Sequence, residues 1–99
     1  MRKIGSLSTI VPGEKLSKPD IDYPQIGEKV ARGHYAIRIS GCAGKCEVAI
    51  DDGTWRSCRC ADGYCWYDWY PTEIGRHRIC ARVRSGNKWL KVQRTGEVE

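Results

Sequence analysis

Large apolar and polar side chains alternate with a period of two along most of the chain after Gly33. In the stretch YAIRIS at 35–40, every second side chain is large and apolar, which is the pattern of a strand that buries one face. Similar alternation predicts further strands at 46–50, 55–60, 64–70, 77–84 and 89–93. No segment shows the period of an amphipathic helix. The pattern therefore predicts an all-β chain, folded as an antiparallel sandwich of about seven short strands.

Short turns rich in aspartate and glycine separate several of these strands. The pair Asp-Gly occurs at 52–53 and again at 62–63, and Ser-Gly-Asn follows at 85–87. An Asp-Gly pair between two alternating runs predicts a tight hairpin, because glycine accepts the positive φ that the turn requires. The strands on either side of 62–63 are therefore expected to pair with each other.

The first 30 residues differ in composition from the rest of the chain. Three of the four prolines lie there. Proline lacks a backbone N–H and fixes φ, which disfavours a continuous helix or a central strand. Residues 1–30 are therefore predicted to form an extended arm with an edge strand near 8–11, and residues 31–96 are predicted to form the sandwich.

Three stretches resemble a known kind of domain: EVAIDDGTW at 47–55, WYDWYP at 66–71 and GRHRICARVRSGN at 75–87. They are similar to bacterial immunoglobulin-like domains of the E-set kind, and to the dimerisation domain of sulfite-oxidase-type molybdenum enzymes. The resemblance covers residues 33–93 and implies an immunoglobulin-like sandwich. Ser85 departs from the pattern, which often has Asp there, and the cysteines are not part of it. The chain lacks the cofactor domain of the molybdenum enzymes, so such a whole enzyme is not expected.

Six cysteines leave three chemical roles open: metal ligands, disulfides or free thiols. If 62–63 is a two-residue turn, Cys60 lies opposite Cys65, where a cross-strand disulfide is within reach. The chain is expected to need no cofactor, and the alternative is zinc, which binds thiolates in tetrahedral geometry. The candidates for metal or disulfide bonding are Cys42, Cys46, Cys58, Cys60 and Cys65.

Cys80 is predicted to differ from the other cysteines. Alternation along 77–84 places it on the outer face of the sheet, between Arg78 and Arg82. Neighbouring guanidinium groups favour the thiolate over the thiol, so Cys80 is the candidate for a reactive surface thiol. The alternative is a partly covered, inert cysteine.

Charge and aromatic side chains indicate a candidate binding surface. The net charge is +5, and the stretch 76–94 has seven basic residues and no acidic one. This stretch is either a solvated outer face or a surface for a polyanion. Four Trp and five Tyr cannot all face so small a core, and Trp and Arg are enriched at binding hot spots. Trp66 and Trp89 either cover the sheet or bind a partner. The predicted binding surface consists of Trp66, Arg78, Arg82, Trp89 and Lys91.

No catalytic residue is predicted, because the sequence shows no nucleophile–base pair and no catalytic motif. The favoured function is a non-catalytic binding or protein-interaction module, with a protein or a carbohydrate as partner. The alternative is a cysteine-based zinc or redox protein, and nucleic-acid binding through the basic C-terminal strands ranks last. No apolar run is long enough for a membrane span. The start lacks the apolar segment of a signal peptide, which favours a cytoplasmic location.

Overall fold

The computed structural model describes residues 18–42 and 44–99, and all regular secondary structure in this part of the chain is β. The strands are β1 (Asp20–Tyr23), β2 (Lys29–Val30), β3 (Tyr35–Ser40), β4 (Cys46–Ile50), β5 (Arg56–Ser57), β6 (Arg59–Ala61), β7 (Tyr64–Trp69), β8 (Gly75–Ser85) and β9 (Lys88–Val98). None of the described residues belongs to a helix of the length and hydropathy needed to cross a membrane. The predicted all-β class is confirmed.

The nine strands in these residues form two sheets. One sheet has the order β1-β3-β7-β6, and the other has the order β2-β9-β8-β4-β5. Neighbouring strands are antiparallel except for β2 and β9, which are parallel. The longest pairing joins β8 to β9, from Gly75 opposite Val98 to Ser85 opposite Lys88.

The two sheets pack face to face, and the core lies between them. Alternate residues of β3, β7 and β8 point inward, as the sequence pattern predicts. The buried cluster contains Ile21, Ile37, Ile39, Cys65 and Trp69 from one sheet, and Val30, Cys46, Val48, Ile79, Ala81, Val83 and Val98 from the other. Full burial of one Ile or Val side chain contributes about 1.5–3 kcal/mol to folding, so this single layer is the main source of stability.

The strand predicted at 55–60 is divided in the structure. Its first part is β5 in the five-stranded sheet, its second part is β6 in the four-stranded sheet, and Cys58 lies between them. The backbone N–H of Cys58 donates to the carbonyl oxygen of Cys46 (N–O 3.0 Å). After that bond the chain no longer pairs with β4 and passes to the other sheet. This division, together with β1 and β2, gives nine strands within residues 18–42 and 44–99, where the sequence predicted about seven for the whole chain.

Part of the predicted N-terminal arm is strand. β1 is an edge strand of the four-stranded sheet, and β2 is an edge strand of the other. Arg94 on β9 holds this segment, because its Nη1 donates to the carbonyl oxygens of Ile21 and Pro24 at 2.7 and 2.9 Å. With four and two residues, these strands are too short to show a clear alternation in sequence. The predicted edge strand at 8–11 lies outside the described residues.

Gly41 lets the chain leave β3 close to the N-terminal segment. Its φ is +74°, and a β-carbon there would overlap the backbone carbonyl of Lys18. Gly27 has a similar φ of +80°, but no heavy atom lies within 4 Å of the place its β-carbon would take. Both glycines adopt the left-handed conformation. Only at Gly41 is the place that a β-carbon would take already occupied, by the backbone of Lys18.

We expect Gly41→Ala to destabilise the protein more than Gly27→Ala. Both variants place a side chain in the left-handed region, at a cost of about 1–2 kcal/mol. The overlap with Lys18 adds a further loss of about 1–3 kcal/mol in Gly41→Ala, as for an overpacked site. Urea unfolding of the two variants measures the difference in free energy of unfolding, and equal losses would contradict this account of Gly41.

Candidate thiol metal centre

Five of the six cysteines meet at one end of the sandwich. Cys42 follows β3, Cys46 begins β4, Cys58 lies between β5 and β6, Cys60 lies on β6 and Cys65 lies on β7. These are the five residues that the sequence proposed as metal or disulfide candidates. They come from both sheets and from three separate stretches of chain.

Two of these cysteines lie where the chain crosses from one sheet to the other. Cys42 follows the last residue of β3 by two positions, and its thiol donates to the carbonyl oxygen of Ile39 (S–O 3.5 Å). Cys58 is the crossing residue after β5, held by its backbone bond to Cys46. Both side chains are half-buried and pack against the core. The two crossings therefore bring the thiols of Cys42 and Cys58 towards Cys46 and Cys65.

The sulfur atoms are close enough to share one ion. The Sγ atoms of Cys42, Cys46 and Cys65 all lie within 4.8 Å of one another. Cys46 and Cys65 are 2% and 0% exposed, so the centre lies at the end of the core and not on the surface. In a tetrahedral site with a Zn–S distance of about 2.3 Å, neighbouring sulfurs are about 3.8 Å apart. The distances among these three sulfurs are thus no more than about 1 Å wider than that spacing.

Cys60 and Cys65 are opposite each other across the β6–β7 pair and are joined by a disulfide. The pairing of Ala61 with Tyr64 closes the turn at 62–63, as the Asp-Gly pair predicted. Asp62 has a φ of 54° and Gly63 a φ of 84°, which are the two positive values that such a two-residue turn needs. The predicted facing of Cys60 and Cys65 is confirmed.

Packing the thiols together opposes their ionisation. The hydrogen bond with Cys46, and then burial, hold the pKa of Cys42 well above its usual range. At Cys46 the bond with Cys42 lowers the pKa, but the bond with Cys58 and burial raise it more, to about 12. Neutral thiols are therefore the stable form near neutral pH unless a cation balances the thiolate charge.

The raised pKa values indicate which chemistry suits the centre. A thiol that acts as a nucleophile or redox catalyst needs a lowered pKa, so that the thiolate is present at neutral pH. The thiols of Cys42 and Cys46 are shifted in the opposite direction. The arrangement of Cys42 and Cys46 is therefore suited to holding a soft metal ion, or to lying inert in the core.

Cys80 lies apart from this centre. It is on the outer face of β8, as the alternation predicted, and its Sγ is 3.8 Å from Oε1 of Gln93. The flanking guanidinium groups have carboxylate partners: Arg78 pairs with Asp52, and Arg82 pairs with Glu47. The reactivity proposed for Cys80 depended on those two charges, and both are engaged elsewhere.

The structure does not bring the five residues of the predicted binding surface onto one face. Arg78, Arg82, Trp89 and Lys91 lie on the outer face of the five-stranded sheet, on β8 and β9. Trp66 lies on β7 of the other sheet. There the guanidinium of Arg38 lies 5.0, 4.4 and 5.8 Å from the ring centroids of Tyr23, Tyr64 and Trp66. Alternation shows which way a side chain points relative to its own strand, and does not show which sheet the strand joins.

Arg82 is the centre of a stack on the five-stranded sheet. Its guanidinium carbon is 4.2 Å from the ring centroid of Trp55 and 4.3 Å from that of Trp89. Its Nε and Nη2 donate to Oε1 of Glu47 at 2.8 and 2.6 Å. Trp66 and Trp89 are half-buried, so they cover the sheets and are not freely exposed. The sequence did not identify Trp55 or Glu47 as neighbours of Arg82. The pairing of β4 with β8 that places Glu47 opposite Arg82 is non-local.

Asp51, at the opposite end of β4 from the thiols, joins two residues of β8. Its Oδ2 is 2.7 Å from Nδ1 of His77, and its Oδ1 accepts from the backbone N–H of Arg78 at 2.8 Å. Nε2 of His77 is 2.7 Å from the carbonyl oxygen of Glu73. Both partners of the imidazole accept hydrogen bonds, so the doubly protonated ring satisfies both.

The Asp51 bond, followed by the Glu73 bond, raises the pKa of His77. Burial raises the pKa of Asp51, but the bonds from His77 and Arg78 outweigh it and lower that pKa overall.

Comparison with protein-family models and with curated proteins gives no match for this sequence. Among solved structures, the chain is similar to an endo-β-1,4-mannanase from Thermotoga petrophila, with a TM-score of 0.69, 14% identity, and coverage of 83% of this chain and 19% of the mannanase. It is also similar to an engineered protein from the Northeast Structural Genomics Consortium, with a TM-score of 0.72, 17% identity, and coverage of 96% and 21%. The chain spans about a fifth of the length of each. At these identities the likeness shows the fold alone.

We expect Asp51→Asn to lower the pKa of His77, because the variant keeps a hydrogen-bond acceptor but loses the negative charge. The contribution of protonated His77 to stability is complete below its ordinary pKa of 6.5 and is lost as pH rises through its raised pKa. The contribution of ionised Asp51 is present above its ordinary pKa of 3.8 and is lost as pH falls through its lowered pKa. The stability difference between wild type and Asp51→Asn is therefore largest between about pH 4 and 6.5.

NMR titration of the two histidines, with urea unfolding across this pH range, checks both parts. His34 is the internal control, because it lies against Asp68 on the other sheet, away from Asp51. An unchanged His77 midpoint in Asp51→Asn would show that the carboxylate does not hold the proton.

Proposed function

We propose that the chain is an immunoglobulin-like β-sandwich module that binds one zinc ion through cysteine thiolates at one end of its core. The strand orders support the immunoglobulin-like part. β1-β3-β7-β6 corresponds to the A-B-E-D sheet of such domains, and β9-β8-β4-β5 corresponds to G-F-C-C′. The resemblance to E-set domains, and to the dimerisation domain of sulfite-oxidase-type enzymes, is part of the same proposal.

The observation that carries the zinc proposal is the meeting of Cys42, Cys46 and Cys65, with all three sulfurs within 4.8 Å of one another. The fourth ligand is Cys58, whose thiol bonds to that of Cys46. Cys58 is half-buried and faces the core, whereas the remaining neighbour, Cys60, is exposed. The proposed set is thus four thiolates, the donor set typical of structural zinc sites.

A zinc ion in this place ties the two sheets together. Cys46 belongs to the five-stranded sheet, Cys65 belongs to the four-stranded sheet, and Cys42 and Cys58 lie on the two crossings. Four protein ligands leave no open position for water or substrate, which fits a structural and non-catalytic role. Zinc binding is expected to raise the stability of the sandwich, because the ion binds the folded chain better than the unfolded one.

Native mass spectrometry of reduced protein, after chelator treatment and addition of Zn²⁺, tests this directly. We expect one zinc per chain, a rise in the melting temperature, and a tetrahedral thiolate spectrum when Co²⁺ replaces Zn²⁺. Cys46→Ser is expected to lose all three, because it removes the central ligand. Cys80→Ser is the matched control and is expected to behave as wild type. Retention of zinc by Cys46→Ser, or its loss in Cys80→Ser, would contradict the assignment.

The raised pKa values predict how zinc affinity depends on pH. The pKa of Cys46 is about 12 and that of Cys42 is also raised, so Zn²⁺ must displace protons from both thiols. The apparent affinity is therefore expected to rise between pH 6 and 8, by about tenfold per pH unit for each proton displaced. Competition with a chelator of known pH dependence measures this slope. A flat response would show that the thiols do not ionise on binding.

We infer a second function for the outer face of the five-stranded sheet, which is contact with an acidic protein surface. The stack of Trp55, Arg82 and Trp89 favours it, because rigid Trp and Arg side chains are typical of protein-binding hot spots. Arg84 and Lys91 are exposed next to this stack and add positive charge. Arg82 covers ring surface that would otherwise stack on a sugar. The competing expectation is a carbohydrate, in view of the structural likeness to part of an endo-β-1,4-mannanase.

Titration with poly-L-glutamate, mannohexaose and a DNA duplex, followed by Trp fluorescence, separates these partners. We expect poly-L-glutamate to bind at low salt and the double variant Arg84→Glu/Lys91→Glu to lose this binding. Arg76→Glu is the control, because Arg76 is exposed on the same face but at its other end, next to Glu97. Saturable mannohexaose binding that Trp89→Ala abolishes would instead favour a carbohydrate. DNA binding that weakens steeply with salt would favour nucleic acid.

A further inference from the structure

Cys65 takes part in two arrangements. Its Sγ lies within 4.8 Å of the sulfurs of Cys42 and Cys46, and it is also bonded to Cys60. The thiolate is the form of cysteine that binds a metal ion, and a sulfur in a disulfide carries no such charge. Cys65 therefore cannot be a zinc thiolate and a disulfide partner at the same time.

We propose that the Cys60–Cys65 disulfide and the zinc ion exclude each other, so that a low-molecular-weight thiol must reduce this bond before the site is complete. This inference rests on the zinc site proposed above. Cys42, Cys46 and Cys58 are thiols when the disulfide is present, and Cys65 is the ligand that reduction adds. Cys60 is then the resolving cysteine, which removes Cys65 from the metal when it is oxidised again.

The exposure of the two sulfurs decides where the external thiol attacks. Cys60 lies on β6, an edge strand of three residues that are all exposed. Cys65 is 0% exposed, behind β6 and β3 on either side of β7. Attack at Cys60 therefore meets little obstruction, and the leaving group is the buried Cys65 sulfur. That sulfur is released next to Cys42 and Cys46.

The thiol–disulfide exchange at Cys60–Cys65 proceeds in two steps. A thiolate RS⁻ attacks Sγ of Cys60, a bond forms between the R sulfur and Cys60, and the Cys60–Cys65 bond breaks with Cys65 leaving as a thiolate. A second RS⁻ attacks the R sulfur of this mixed disulfide, which releases RSSR and leaves Cys60 as a thiolate. The two external thiols together lose two electrons, and the protein disulfide gains them. A small disulfide such as glutathione disulfide drives the same steps in reverse.

Zinc and the disulfide are linked through the buried thiolate. A thiolate released at Cys65, which is fully buried beside Cys42 and Cys46, is poorly solvated, and Zn²⁺ supplies the charge that stabilises it. Zinc is thus expected to favour reduction of Cys60–Cys65. By reciprocity, the disulfide weakens zinc binding by the same factor. Oxidation by a small disulfide should release zinc from the protein.

The test measures zinc affinity of the wild-type protein in two states, one reduced with a phosphine and then freed of it, the other oxidised with glutathione disulfide. Peptide mapping of each sample shows whether Cys60–Cys65 is formed. We expect the oxidised form to bind zinc about 100-fold more weakly, at the upper end of ordinary coupling between two sites. Adding glutathione disulfide to the zinc-loaded form is expected to release zinc in step with formation of that bond.

The Cys60→Ser variant removes the resolving cysteine and keeps all four proposed ligands. We expect it to bind zinc as tightly as reduced wild type without any reductant, and to keep its zinc when glutathione disulfide is added. Cys80→Ser, the control, should still lose zinc on oxidation. Circular dichroism confirms that each variant is folded, and the comparison of the two wild-type states needs no variant at all.

The outcomes separate this inference from the zinc site itself. Absence of zinc binding by reduced wild type would overturn the zinc proposal and this inference with it. Equal zinc affinity in the reduced and oxidised wild type would leave the zinc site standing and overturn only the exclusion. Zinc loss from Cys60→Ser at the wild-type rate would also overturn the exclusion, since another pair of cysteines would then be responsible.

Discussion

The hydrogen bond from the backbone N–H of Cys58 to the carbonyl oxygen of Cys46 fixes the point at which the chain passes from one sheet to the other. Before this bond, β5 pairs with β4, and after it β6 pairs with β7 in the other sheet. The position of Cys58 beside Cys46 follows from that crossing, and the two-residue turn at 62–63 then places Cys60 opposite Cys65. The thiol centre is therefore a consequence of the way the sandwich is connected.

On the outer faces of both sheets, arginine side chains cover aromatic rings. Arg38 does so on the four-stranded sheet and Arg82 on the five-stranded sheet, and each is also paired with a carboxylate, Asp22 and Glu47 respectively. Cation–π contacts of this kind contribute about 0.5–1 kcal/mol at exposed sites. The aromatic rings beside Arg38 and Arg82 thus form an amphipathic cover on both sheets. Arg78 and Arg82 are paired with carboxylates, which leaves Arg84 and Lys91 as exposed basic side chains beside the Arg82 stack.

The sequence predicted local features well and non-local ones poorly. The bounds of β3 and β4 agree with the alternation, because each strand buries alternate residues, Ile37 and Ile39 in β3 and Cys46 and Val48 in β4. The Asp-Gly turn fixed the partner of Cys60, because a two-residue turn determines register. The division of the strand at 55–60 could not be predicted, since neither glycine nor proline stands beside Cys58. The sequence groups Trp66 with Trp89 for a related reason: alternation within a strand contains no information about the sheet to which that strand belongs.

The parallel pairing of β2 with β9 makes the domain resist force that is applied along these two strands. Val30 lies opposite Val98, the backbone N–H of Glu99 donates to the carbonyl oxygen of Val30 at 2.9 Å, and Lys29 pairs with Glu99 at 3.3 Å. A force that draws the chain before β2 away from the end of β9 acts along both strands in opposite directions. It loads these bonds together in shear, whereas the same force across a hairpin would open them one after another. Tension that passes β1 is therefore resisted at this short edge pair before it reaches β8 and β4.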